Sequence, residues 1–325
     1  MKRREFIALL GSAAAWPLTA RAQGRGENTW RLGILQPGAP PEPLVEVLQQ
    51  RLHELGYVQG TNIDFEYRWA LGKLERLTDL AKELVSSNVD LITTLSTPAA
   101  LAALNSTKTI PIVFTGVGDP VGARVVPNLG QPGGNITGVS LLATELSAKR
   151  LELLREIVPT VSRIAMLWND TNPSMVLRAQ ETHQAAAKLG VVIQSVGVHV
   201  PIDLDAAFVG IESGHNDALL TLVDPFTREH RKRIVDFAAR AHLPAIYEAR
   251  EFTEAGGLVS YGPSLAVMQR RAAELIDKIF RGTKPADLPV EQPTKFELLI
   301  DMRTAKVLWV AIPQEILMRA DEMIE

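Results

Sequence analysis

From Trp30 onward the chain alternates short apolar runs with longer stretches of helical period, and this alternation constrains the fold more than any other feature. Residues 31–35 read as a buried strand ending at Gln36-Pro37-Gly38. Leu44, Val45, Leu48, Leu52 and Leu55 then recur at helical spacing until Gly56 stops them. Ile63, Phe65, Tyr67 and Trp69 alternate as in a half-buried strand, and Leu74, Leu77, Leu80, Leu84 and Val85 mark a second helix. Strands at 90–95 and 110–115 flank a helix opened by Ser96-Thr97-Pro98, with Thr97 expected as its cap and Pro98 in its first turn. Strand–helix alternation of this kind predicts a parallel sheet covered by helices.

The pattern then restarts. The Gly/Pro-rich run 130–135 marks a boundary. Strands follow at 136–140, 164–168, 191–196, 218–223 and 245–247, with helices at 146–157, 173–189, 204–211 and 227–241 between them. The tail departs from two simple units: a strand at 258–261, a helix at 264–280, a proline-rich loop at 283–293, a strand at 295–300 and a helix at 303–310. That order sends the chain back and forth between two α/β lobes.

The first 22 residues stand outside this pattern. Lys2-Arg3-Arg4 precedes an apolar run and an Ala20-Arg21-Ala22 site, which reads as a cleaved export signal; its paired arginines also fit the twin-arginine type, beside the general secretion route. The run is too short to span a bilayer of roughly 30 Å. Its removal takes the net charge from −3 to −6, since Lys2, Arg3, Arg4 and Arg21 leave with Glu5. An acidic chain lacks the basic stripe that nucleic acid demands. There are no cysteines, so disulfides, thiol chemistry and a lipid-anchoring cysteine are all excluded. With 46% apolar residues the fold can rest on core burial alone. The expectation is a free periplasmic protein, a monomer, with no partner nucleic acid.

In an open parallel sheet, ligands sit beyond the carboxyl ends of the strands. The residues there are Gln36, Ser96, Thr97, Thr115, Gly116 and Asp119 in the first unit. In the second they are Trp168, Asn169, Asp224, Tyr247 and Glu248. Ser96-Thr97 at a helix start suits a ligand carboxylate, and also suits plain capping. Asp224 and Glu248 fit a ligand ammonium or the solvated surface of a loop. Trp168 fits a ligand stack or the core, and its place at a strand exit favours the ligand. Residues 116–122 have the wrong spacing for G-x-G-x-x-G. P-loop, nucleophile-elbow and H-E-x-x-H patterns are missing, and the six histidines are scattered. No catalytic residue, metal site or cofactor is expected, and an enzyme is disfavoured.

Residues 110–123, with Gly118-Asp119-Pro120-Val121-Gly122, and residues 132–140, with Pro132-Gly133-Gly134-Asn135-Ile136-Thr137-Gly138, carry a resemblance. So do Gly256-Gly257-Leu258-Val259-Ser260-Tyr261-Gly262, Lys284-Pro285-Ala286-Asp287-Leu288-Pro289 and Phe296-Glu297-Leu298-Leu299-Ile300. Together they resemble the substrate-binding proteins of ABC transporters, in the branch that includes tryptophan- and tyrosine-type binders. The resemblance implies a type I periplasmic-binding-protein fold: two Rossmann-like lobes joined by three crossover strands near 138–141, 259–263 and 288–292. Lobe one would take 30–138 plus 263–287, and lobe two 141–259 plus 292–325. It places Ser96, Thr97, Thr115, Gly116 and Asp119 on the first lobe's rim of a ligand cleft, Ser140 at the hinge, and Trp168, Asn169, Asp224 and Tyr247 on the second lobe.

The resemblance implies a receptor for a small carboxylate-bearing ligand, an amino acid or aromatic acid, that docks on an inner-membrane ABC permease. A ligand-sensing subunit for a membrane signalling protein would share the same fold. The chain departs from many members at the first loop, where Gln36-Pro37-Gly38 replaces a Tyr/Asn-Pro-Gly sequence. Gln36 offers no ring there, which moves the expectation toward other small carboxylates.

Overall fold

A computed structural model describes residues 29–141 and 146–325. The export signal read in residues 1–22 lies outside them. The first lobe is built from β1 (Trp30–Gln36), α1 (Pro43–Glu54), β2 (Ile63–Trp69), α2 (Leu77–Ser86), β3 (Leu91–Leu95), α3 (Thr97–Ser106), β4 (Ile112–Val117) and β5 (Ile136–Ser140). Its sheet runs β2-β1-β3-β4-β5, with every pair parallel. β3, β4 and β5 are buried along their whole length and contain no charged residue; edge strand β2 is mostly half-buried, and its sequence alternates apolar with charged residues.

The second lobe begins with α4 (Leu146–Ile157), β6 (Arg163–Trp168), α5 (Pro173–Leu189), β7 (Val192–Gly197), α6 (Asp203–Ser213) and β8 (Ala218–Thr221). It continues with α7 (Pro225–Glu229), α8 (Arg231–Arg240), β9 (Ala245–Tyr247), α9 (Arg250–Glu254) and β10 (Val259–Pro263). The chain then forms α10 (Leu265–Phe280), β11 (Phe296–Asp301), α11 (Met302–Val307), α12 (Gln314–Leu317) and β12 (Glu322–Ile324). The second sheet runs β12-β11-β10-β9-β8-β6-β7, parallel except for the antiparallel β10–β11 pair.

Although it follows β10, α10 returns to the first lobe. Met268, Ala272, Leu275 and Ile276 pack with Leu32, Ile34, Val45, Leu48 and Leu52 in one core cluster. The opposite face of the first sheet buries α2 and α3 through Leu80, Leu84, Ala99 and Ala103. The second lobe has a matching pair of clusters, one under α4 and α5, the other under α6 and α8. The chain passes between the lobes three times: after β5, from β10 into α10, and from the segment at Glu291 into β11. Glu291 donates its N–H to Gly138 O at 2.9 Å and accepts from Ser140 N at 2.9 Å, so this segment extends the first sheet next to β5. No helix among the described residues is long and apolar enough to cross a membrane.

Two local expectations change. The single helix expected over 227–241 is two helices. Asp224 forms a capping box with Thr227 and starts α7 at Pro225, and α8 restarts at His230, which leaves helical geometry at φ −96°, ψ 14°. At α3 the cap position belongs to Ser96, not Thr97, and Ser96 makes no side-chain capping bond.

Candidate functional site

The carboxyl ends of β1, β3 and β4 face the start of α5 and of α7 across a cleft, and the cleft encloses a cavity of about 360 Å³. Of the residues expected from strand exits, Gln36, Ser96, Thr97 and Gly116 line it from the first lobe, and Asp224 from the second. Apolar walls come from Leu44, Val47, Leu95, Met175, Val223 and Leu265.

Ser96 shapes the first-lobe side. Its backbone sits at φ 96°, ψ 160°, a region that side-chain-bearing residues rarely adopt and that costs about 1–3 kcal/mol. Its hydroxyl is buried and has no hydrogen-bond partner among the described residues. Pro98 has no N–H, and at a helix start the N–H groups of Thr97 and Ala99 have no intrahelical acceptor. A strained, unpartnered hydroxyl beside free backbone donors and a positive helix end is an anion-binding arrangement. Gly116 makes room for it. Gly116 lies at φ +75° beside an irregularity in the β4–β5 pairing, and a Cβ there would sit 3.1 Å from Leu95 Cδ1.

Asp224 shapes the opposite side and is 4% exposed. Its Oδ2 accepts from Asn169 Nδ2 at 2.6 Å and Asn172 Nδ2 at 3.3 Å; its Oδ1 accepts from Thr227 N at 3.0 Å. The Thr227 hydroxyl lies 3.0 Å from Leu222 O, which can take its single proton and leave Oδ1 room for one more donor. Burial raises the Asp224 pKa above its ordinary value, against the hydrogen bonds from Thr227, Asn169 and Asn172 that lower it. A cationic ligand group beside Oδ1 would favour the charged form.

The other strand-exit residues stand behind or beside these walls. Asn169 reaches the site through Asp224. Thr115 is buried with its Oγ1 3.5 Å from Gln269 of α10, and Asp119 closes a turn by accepting from Val121 N and Gly122 N. Ser140 donates its N–H to Glu291 O at the end of β5. Trp168 is half-buried against the second-lobe core and donates from Nε1 to Ser195 Oγ at 2.8 Å. Tyr247 stacks on Phe252 at 4.8 Å in the core.

Glu248 sits in a buried ion cluster that sequence reasoning missed. Arg150 Nη1 donates to Glu248 Oε1 at 2.8 Å, and Arg178 Nη2 pairs with Oε2; both arginine side chains are 1% exposed. Glu248 Oε2 also accepts from Val223 N at 2.7 Å, and Arg178 donates to Val223 O. Arg150 Nε donates to Tyr261 O on β10. Burial pushes both arginines down to about 9, and their mutual repulsion adds to the effect at Arg178. The cluster grips Val223, so it fixes the backbone that presents Asp224. A signal for it was present: Arg178 follows Ser174 and Met175 and precedes Ala179 and Thr182 on one helical face, all of them buried.

The lobes touch on both sides of the cavity. Thr97 Oγ1 lies 2.7 Å from Ser174 Oγ. A Cβ on Gly118 would come within 3.3 Å of Ser174. At the mouth, Arg228 Nη2 donates to Glu42 Oε1 of the first lobe at 3.0 Å and to Glu251 Oε1 at 2.9 Å. The cleft is therefore closed. Neither Glu42, Arg228 nor Glu251 was anticipated, because charged residues in loops and short helices look like solvated surface in a sequence.

A family model described as ABC transporter substrate binding protein matches residues 42–324. A tyrosine-binding protein of Clostridioides difficile (strain R20291) is 29% identical over 258 residues, covering 79% of this chain and 74% of the relative. Among solved structures, an ABC domain from Streptococcus pneumonia in complex with L-Trp superposes with a TM-score of 0.85 at 25% identity, covering 91% of this chain and all of that one. The ligand-free, open structure of a substrate binding protein with adhesive properties from Clostridium difficile superposes with a TM-score of 0.66, also at 25% identity, over 91% of this chain and 99% of that one. At equal identity the better fit is to the ligand-bound structure, in keeping with the contacts across the cleft.

Proposed function

The chain belongs to the family of ABC transporter substrate binding proteins, and on that premise we propose that it is the periplasmic receptor of an importer, binding a small amino acid in the cleft. The ligand carboxylate lies at Ser96 and the start of α3, and its ammonium at Asp224. One observation carries this reading: Ser96, strained at a helix start, and Asp224, a buried carboxylate, line the same cleft cavity from opposite lobes. Polar groups closed away from water need partners, and a zwitterion supplies both. The tyrosine and tryptophan named for two relatives support the amino-acid class. Binding shifts an open–closed equilibrium, and the closed form is what a permease would receive.

The test is a thermal-shift screen of residues 23–325, refolded to remove carried-over ligand, against the amino acids, aromatic acids, dicarboxylic acids and sugars. A true ligand at one hundred times its Kd adds about 2.7 kcal/mol of stability. A response confined to α-amino acids supports the reading, and a response to sugars alone sinks it.

A further inference from the structure

Gln36 ends β1 and is 3% exposed, yet its side chain makes no hydrogen bond with any described residue. Its backbone is used: the carbonyl accepts from Ala70 N at 2.9 Å. Its amide is not. Neither Oε1 nor Nε2 is closed off within the protein, as the hydroxyl of Ser96 is, and the space that Gln36 borders is the cleft cavity. Strand alternation turns Gln36 to the same face of the sheet as Ile34, which lies in the core cluster under α1 and α10. The cavity wall from those two helices is apolar: Leu44 and Val47 on α1, Leu265 at the start of α10. A lone amide beside an apolar wall costs free energy until something pairs with it.

We propose that Gln36 is a specificity-determining residue, and that the ligand is an amino acid whose side chain ends in an uncharged hydrogen-bonding group, a hydroxyl or a carboxamide. This rests on the amino-acid reading above. The main-chain groups of such a ligand take the start of α3 and Asp224, and its side chain runs along Leu44, Val47 and Leu265 to end at Gln36. An amide offers an acceptor oxygen and two N–H donors, and carries no charge. A hydroxyl or a second amide can answer both kinds of group. A carboxylate answers only the donors and an ammonium only the acceptor, and either would leave water with no counter-ion on that wall. A methyl terminus leaves the amide unpaired, and a site built to hydrogen-bond its ligand rejects such an analogue far more strongly than an apolar pocket rejects a change of size. Gln36 takes no part in the bonds that join the lobes, Thr97 to Ser174 and Arg228 to Glu42, so replacing it leaves the closing contacts in place.

Calorimetric titration of the refolded protein with matched pairs tests this: L-tyrosine against L-phenylalanine, L-glutamine against L-methionine, and L-threonine against L-valine, with L-lysine and L-glutamate as charged controls. In the pair that binds best, the polar member is expected to bind about tenfold or more tighter, and tighter than either control. Gln36→Met keeps the length of the side chain and removes the amide, and it should abolish the difference within that pair by weakening the polar member. Gln36→Glu leaves only acceptors and adds a charge, and it should raise L-lysine above L-glutamine. Equal binding within every pair overturns the proposal while the amino-acid reading stands. So does tighter binding of a charged control by the unaltered protein, a preference that survives Gln36→Met, or a Gln36→Met protein that weakens both members alike, which would mark Gln36 as merely structural. Binding by none of the eight overturns the amino-acid reading and this proposal with it.

Discussion

Thr97 Oγ1 and Ser174 Oγ lie 2.7 Å apart, one on each lobe, and both residues are buried. Each hydroxyl is the other's partner across the cleft, so opening the cleft separates them. Thr97→Val keeps the shape and removes one partner, which leaves Ser174 with a buried, unsatisfied group in the closed form alone. Affinity for the tightest amino acid of the panel should fall about tenfold, mostly through faster release. Adding Ser174→Ala should restore part of the loss, because removing both partners is gentler than removing one. Stopped-flow release rates of the two variants check both statements.

Ser96→Gly separates strain from binding. Glycine adopts φ 96° without penalty, and the substitution also deletes an unpartnered buried hydroxyl. The ligand-free protein should gain about 1 kcal/mol or more in denaturant unfolding while ligand affinity falls several-fold. A loss of stability would contradict the reading of Ser96 as a strained ligand clamp.

Acidification acts through Asp224. Its folded pKa is raised, chiefly by burial, so its contribution to stability is present below its ordinary value and lost as pH rises through the folded value. A ligand ammonium favours the carboxylate, so binding expels the proton. Affinity should therefore decline as pH falls through the raised pKa. Asp224→Asn retains a capping oxygen for α7 but not the charge. Its affinity should be about tenfold lower at neutral pH and flat across the acidic range, as read by titration at several pH values.

Glu248 holds two arginines out of water, and Glu248→Gln removes the carboxylate that both share. Breaking one side of a buried ion cluster costs about 3–5 kcal/mol, so a marked drop in melting temperature of the ligand-free protein is expected. An unchanged melt would show that the cluster is solvated in solution.

The fold was legible because β3, β4 and β5 are short runs of small and apolar residues, buried throughout, and the helices between them keep a helical period; both follow from a sheet covered on two faces. The rule that ligands sit at strand exits led to Ser96, Thr97 and Asp224 on the cavity wall, yet it could not say which way each side chain turns. Tyr247 ends its strand facing the core, and Glu248, one residue on, faces two arginines from α4 and α5. Those arginines come from helices distant in sequence, and only the packing of α4 and α5 on the sheet brings them together. Glu42, Arg228 and Glu251 were illegible for a similar reason. Their meeting depends on how the lobes close, and no local pattern encodes that.

The chain passes between the lobes three times, and two of the passages leave from β10 and enter β11, strands hydrogen-bonded to one another from Val259–Ile300 to Pro263–Phe296. A single linker would let the halves swivel, slide and drift apart. A ribbon of this kind behaves like a leaf spring, stiff to shear and twist and compliant mainly to bending across its width. Adjacent passages tied together in this way favour one coordinate over the others, a jaw angle. A transporter that senses its shape need distinguish only gape from bite.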